Sequence, residues 1–412
     1  MALQTSSAFP LRNVTKAELE SLCQILWNWP RCEGCDISQA TRRSCRAKNC
    51  SWRQRSERLE LFFHFYREVT SSYVPDFFGD EDQALRSHQD LFDIISMLKT
   101  TNTMFNRDEY REAYFTSRTF KEEETTIPLA DQERAFNLAA TVMTMVKTNC
   151  ADDEDISITA DLEQGRTSKE PPFIWHPEQT LQTALIDAFP TRIHPSLQEL
   201  DAQSKAILSD LTATNLTRIS KLKFLSTNDL RHHLKLDPIT GTVQIFHHTT
   251  FLKEHLLSSK RELEPQPTDN STPSAFTFPR PLALETLYTL QLLFPYQDPK
   301  SQSLLRNLVS KQSFDPDILR FGTTAYELGT DEKNQASRYP IWGTRLMDLY
   351  DEIENPKPRG VLDAWLERRS KSRHVMMATI VGVSVAIVLG ILSLGVSCFQ
   401  AWISWREWKD KA

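Results

Sequence analysis

Val375-Met-Met-Ala-Thr-Ile-Val-Gly382-Val-Ser-Val-Ala-Ile-Val-Leu-Gly390-Ile-Leu-Ser-Leu-Gly395-Val-Ser-Cys398-Phe399 is a run of 25 residues without a charged side chain. The charge-free stretch continues to Trp405, in a chain of 412 residues of which 25% are charged. As a helix rising ~1.5 Å per residue the run measures roughly 37 Å, enough to cross a hydrocarbon layer of ~30 Å with some tilt. Seven residues follow Trp405, too few to re-enter a bilayer. The stretch predicts a transmembrane helix over residues 375–403 with a short tail, 404–412; the competing reading is a buried core helix.

Both flanks carry interface chemistry. Arg368, Arg369, Lys371 and Arg373 precede the apolar run, with stems long enough to reach headgroups. Trp402, Trp405 and Trp408 follow it three residues apart, as in an aromatic belt. Residues 367–374 carry a net +3 and residues 406–412 a net +1. The excess on the near side predicts that the N-terminal body faces the cytosol. The start, Met1-Ala-Leu-Gln-Thr-Ser-Ser7, has neither a basic n-region nor an apolar h-region, so no signal peptide is expected. The expected topology is that of a tail-anchored protein of the endoplasmic reticulum or another endomembrane. Ala378, Gly382, Ala386 and Gly390 recur at every fourth position, a small-residue stripe that lets two helices approach closely and points to a homodimer through the span. Small residues are also common in such helices without any packing role.

The chain carries −6 overall, which leaves −10 for residues 1–366 once the +3 and +1 of the flanks are removed. An acidic body is unsuited to nucleic acid, and no nucleic-acid partner is expected. Residues 31–58 break the trend with eight basic against three acidic side chains. The same stretch holds Cys32, Cys35, Cys45 and Cys50, spaced C-x2-C-x9-C-x4-C. A C-x2-C knuckle followed by a second pair is a thiolate arrangement that suits tetrahedral Zn²⁺. Disulfides, or reduced thiols without a ligand, fit the same residues.

Hydrophobic periodicity predicts a mainly α fold for the rest. Residues 1–150 form an N-terminal helical unit with a Cys-rich segment at 23–50, opened by the capping box Thr15-Lys-Ala-Glu18. Helices are expected over 56–71, 82–99 and 131–147. Residues 151–172 (Asp, Glu, Gly, Ser, Pro) form an acidic linker. Residues 173–257 form a helical unit with one β-hairpin, Leu234-Lys-Leu-Asp-Pro-Ile-Thr-Gly241-Thr-Val-Gln-Ile-Phe246, in which Gly241 takes a left-handed turn position. Helices at 228–233 and 251–257 would make this a helix–hairpin–helix element, winged-helix-like in outline and without a basic recognition helix. His232, His233, His247, His248 and His255 gather around it. They are the geometric start of a metal or pH-sensing site, or paired surface histidines at strand ends. A linker at 258–279 and a third helical unit at 280–366 complete the body.

The eleven glycines are too dispersed for a G-x-G-x-x-G, a P-loop or a G-x-S-x-G elbow, and H-E-x-x-H is missing. No catalytic or cofactor-binding residue is identified. The expected role is an adaptor or scaffold working through unknown protein partners at a membrane. An oligomeric pore or transporter subunit and a membrane-held enzyme with a non-local site are the alternatives.

Several segments resemble a protein family widespread in filamentous ascomycete fungi. They are Val243-Gln-Ile-Phe-His-His248, Phe251-Leu-Lys-Glu-His-Leu256, Glu285-Thr-Leu287, Leu293-Phe-Pro295, Ser313-Phe-Asp-Pro-Asp317, Ile341-Trp-Gly-Thr-Arg-Leu346, Asp348-Leu-Tyr-Asp-Glu352, Pro358-Arg-Gly360, Glu367-Arg-Arg-Ser370, His374-Val-Met-Met-Ala-Thr379 and Phe399-Gln-Ala-Trp402. The resemblance implies a helical body with one C-terminal span. It brings no activity, ligand or catalytic residue.

Overall fold

The computed structural model describes residues 9–30, 50–75, 83–100, 105–119, 127–148, 173–199, 201–263, 276–323, 338–357 and 373–411. The acidic linker 151–172, most of the 258–279 linker, Cys32, Cys35, Cys45, Arg368, Arg369 and Lys371 lie outside them. The described residues are mainly α-helical with one small sheet. They fall into two units, one of residues 1–238 and 242–354 and one of residues 239–241 and 355–412.

The N-terminal half of the body is built from α1 (Lys16–Trp27), α2 (Ser51–Arg55), α3 (Glu60–Ser71), α4 (His88–Thr100), α5 (Arg107–Thr119) and α6 (Leu129–Thr144). Helix α1 starts where the capping box is: Thr15 Oγ1 accepts the Glu18 N–H, and Glu18 Oε2 accepts the Thr15 N–H. Its end is set by Asn28 in the left-handed region, φ 51°. Lys99 Nζ reaches from α4 to donate to the last carbonyls of α1, Ile25 O at 2.7 Å and Leu26 O at 2.9 Å, where the helix dipole favours a cation.

Beyond residue 173 come α7 (Leu181–Ala188), α8 (Ala202–Asp210) and α9 (Ala213–Ile219). Then follow β1 (Lys223–Thr227), β2 (Leu236–Asp237), β3 (Thr242–Phe246), α10 (Thr249–Leu263), α11 (Arg280–Leu293), α12 (Pro299–Gln312) and α13 (Gly343–Glu354). The hairpin is present, β2 antiparallel to β3 with Leu236 opposite Val243, and Gly241 has φ 68°. Two details differ from the sequence reading. Strand β1 was not anticipated; it pairs in parallel with β3, Phe224 opposite Val243, giving the order β1-β3-β2. Residues 228–233 make only a 3-10 turn, Leu230–His232, because the Asp229 carboxylate accepts the Arg231 N–H and Leu234 turns left-handed at φ 60°.

One continuous apolar core runs through the body from Leu11 to Leu349. At its centre the Trp27 ring of α1 meets Phe62 of α3 at 5.2 Å, and Phe251 and His255 of α10 at 6.1 and 5.8 Å. Offset and edge contacts of this kind add to the burial of large rings. A polar tie crosses the same region: Glu254 Oε2 accepts from Trp29 Nε1 and Arg55 Nη1, both at 3.0 Å.

Candidate membrane-spanning helix and buried polar knot

Helix α14 covers Arg373–Lys411 without a break. Within it Thr379–Arg406, 28 residues, is long and apolar enough to cross a membrane, and none of its most apolar window is buried. Val385, Leu389, Leu392, Leu394 and Phe399 are each more than half exposed. The apolar side chains of this helix are thus not enclosed as those of a buried core helix are.

Gly382, Ala386 and Gly390 stand exposed along α14, and a Cβ added to either glycine would meet nothing within 4 Å. Ala378 and Arg373 lie in the same helix. Trp402, Trp405 and Trp408 are exposed at 50, 57 and 71%, with Phe399 stacked on Trp402 at 6.2 Å. Arg406 lies over the Trp402 ring at 5.4 Å and Lys409 over Trp405 at 5.3 Å. A cation on the face of an amphipathic ring is the chemistry of a headgroup layer.

Cys50 is buried and caps α2, its Sγ accepting the Arg53 N–H at 3.4 Å. Among the described residues no three His, Cys, Asp or Glu side chains are grouped as a metal ion needs.

The body concentrates its buried polar groups around β3 and α10. Asp315 accepts at Oδ2 from Thr249 Oγ1, Thr250 N and Thr250 Oγ1, all at 3.0 Å, and so caps α10 from a turn 65 residues downstream. Its Oδ1 accepts the Asp317 N–H, and Asp317 in turn pairs with Lys253. Glu285 of α11 accepts the N–H groups of Ile341 (2.8 Å) and Trp342 (2.5 Å) at the start of α13, and Trp342 Nε1 donates to Thr286 Oγ1. Burial pushes the Glu285 carboxyl up to about 8, against the two amides that lower it.

The histidines of this region are core residues. His233, His247 and His248 are buried, which corrects the surface reading, while His232 is half-buried. His247 and His248 lie ring on ring at 4.3 Å, and His233 packs against Trp342 at 4.9 Å. The His255 ring sits among Trp27, Phe251 and Phe278. Asp315 and Glu285 were not singled out in the sequence; a cap from a distant turn leaves no local spacing to read. No protein-family model matches this chain, and no curated protein or solved structure matches it either.

Proposed function

We propose that this protein is held in an endomembrane by α14, with its body in the cytosol working as an adaptor or scaffold through protein contacts. The observation that carries the reading is the apolar helix Thr379–Arg406, none of whose most apolar window is buried. Exposing that much apolar surface to water is untenable for a soluble chain, and a bilayer removes it. The basic residues before the span and the Arg406 and Lys409 contacts on the tryptophans support an interface on each side. A helix of this kind raises the effective concentration of whatever the body binds on the same surface, and self-association through the Gly382 and Gly390 face adds avidity.

The alternatives have less support. Among the described residues a cavity lined by Leu26, Lys99, Met143, His255, Phe276 and Phe278 has a volume of about 20 Å³, room for one water. A pore is disfavoured by the lack of any Asp, Glu, His, Lys or Arg between Val375 and Trp405.

Two readouts on the intact protein in a fungal host test the proposal. After alkaline carbonate extraction it should stay with the membrane pellet; recovery in the supernatant refutes the span. The N-x-S/T sequons at Asn13, Asn49, Asn215 and Asn270 should remain unmodified, so that glycosidase leaves the mobility unchanged. A mobility shift would put the body in the lumen or outside the cell and overturn the cytosolic reading.

A further inference from the structure

Three buried histidines close the end of the sheet. His233 Nδ1 accepts the backbone N–H of Phe246 at 3.2 Å, and its Nε2 lies 2.7 Å from Thr289 Oγ1. The Thr289 hydroxyl is already donated to Thr286 O at 2.7 Å, so Nε2 must carry the proton that joins the two groups. A backbone amide can only donate, so Nδ1 must be bare. One neutral tautomer satisfies both ends, and the imidazolium does not.

His247 repeats the arrangement. Its Nδ1 accepts the N–H of Asp315 at 3.2 Å, which fastens the Asp315 turn to the end of β3. His248 Nε2 meets Asn228 Oδ1 at 2.8 Å, while Asn228 Nδ2 points to Glu68 at 3.4 Å. Phe65 and Phe246 flank the His248 ring. Both residues directly precede α10, where the positive end of the helix dipole opposes a cation.

The charged groups around them mostly add to that opposition or are already engaged. Arg345 donates to His233 O at 2.5 Å, and His64 raises the potential at His248. Asp315 is filled by Thr249 and Thr250, Asp317 and Lys253 hold each other, and Glu68 reaches only Asn228.

We propose that His233 and His247 form an acid-sensitive latch, which ties β3, the first turn of α10 and the Asp315 turn together only while the two rings are neutral. Protonation places an N–H against the Phe246 and Asp315 amides. The Asp315 turn then separates, and α10 loses the cap that Asp315 supplies. This device is independent of which side of the membrane the body occupies.

Burial pushes all three rings below the usual histidine range, His247 to about 4, with Arg345 adding to the effect at His233 and His247 and His64 at His248. The opened segment regains ordinary histidines near 6.5, so below that pH it binds more protons than the closed one. Opening then grows about tenfold per pH unit for each histidine released.

Hydrogen exchange read by mass spectrometry on the full chain in detergent micelles, at about pH 7 and about pH 5 and corrected for intrinsic rates, tests the latch. Peptides covering 246–252 and 313–317 should lose at least about tenfold in protection at the lower pH, while those covering α1 and α4 keep theirs. Unchanged protection at 246–252 and 313–317, or loss in step with α1, overturns the proposal. His247→Asn places an amide oxygen where Nδ1 lies, an acceptor that does not titrate; it should preserve protection at 313–317 at about pH 5. Loss equal to that of the unmodified chain removes His247 from the latch. If the variant does not fold at neutral pH, the comparison within the unmodified chain still decides.

Discussion

Asp131 has no exposed surface and serves two separate parts of the N-terminal half. It accepts from Tyr73 Oη and from the Ala84 N–H, both at 2.8 Å, with Arg134 at 3.5 Å along α6. Replacing it by Ala leaves the buried Tyr73 hydroxyl and the buried Ala84 amide without this acceptor. Asp131→Ala should therefore cost about 3 kcal/mol. A urea titration of the full chain in micelles, followed by tryptophan emission, reads this directly; a loss below about 1 kcal/mol would show that the network is dispensable. Glu285 behaves differently because burial raises its carboxyl in the fold. Its carboxyl is raised to about 8 from an unfolded value near 4.5, so between those values the folded state binds more protons than the unfolded one. Its contribution to stability is present below about 4.5 and is lost as pH rises through 8. Glu285→Gln keeps an acceptor for Ile341 and Trp342 and removes the titration. The variant should match the unmodified chain at about pH 6 and exceed it at about pH 9, in urea midpoints at the two pH values. An equal fall in both proteins would refute a protonated Glu285.

Elements in this chain are fixed by signals of very different range. Thr15 and Glu18 set the start of α1 from within four residues, which is why that helix was legible in the sequence. Thr15→Ala should cost about 1 kcal/mol, measured by the same urea titration. Helix α14 was legible from composition alone, because a charge-free run of this length has few other uses. Strand β1 was not: Lys223-Phe-Leu-Ser-Thr227 alternates weakly, and its parallel partner lies beyond an intervening turn and strand. The start of α10 was equally hidden, since its cap comes from Asp315. The five histidines were noticed as a group, yet only the fold shows that three become neutral acceptors or donors inside the core rather than ligands at its surface. For α14 the prediction concerns association. Gly382→Ile with Gly390→Ile fills space that is empty around the isolated helix, so insertion should be unchanged while close approach of a second copy is blocked. A transmembrane self-association reporter should lose most of its signal; an unchanged signal would remove the stripe from any dimer.

Taken whole, the body joins segments that the sequence presents as separate units. Trp27 of the first helix packs on Phe251 of α10, and Trp29 and Arg55 both bind Glu254. The acidic and Ser/Pro-rich stretches between those units mark breaks in composition, whereas the core is continuous across the units they separate. The pH dependence of global unfolding sums over all titratable groups whose folded and unfolded values differ, so their signs add. His233, His247, His248 and His255 are all held below the ordinary histidine value, chiefly by burial. Below about 6.5 the unfolded chain takes up a proton at these positions before the folded chain does, His247 holding out to about 4, so their contribution is present at neutral pH and is lost on acidification. Glu285 and Asp315, both raised by burial, oppose this, since each favours the fold at lower pH. His88, also lowered by burial, makes five histidines against two carboxyls, and the balance lies with the histidines. The urea midpoint of the full chain in non-ionic micelles should fall as the buffer is taken from about pH 6.5 to about pH 4.5, with a net uptake of at least about one proton on unfolding. A midpoint that stays level or rises over that range would mean that the buried carboxyls, and not the histidines, govern how this body answers to acid.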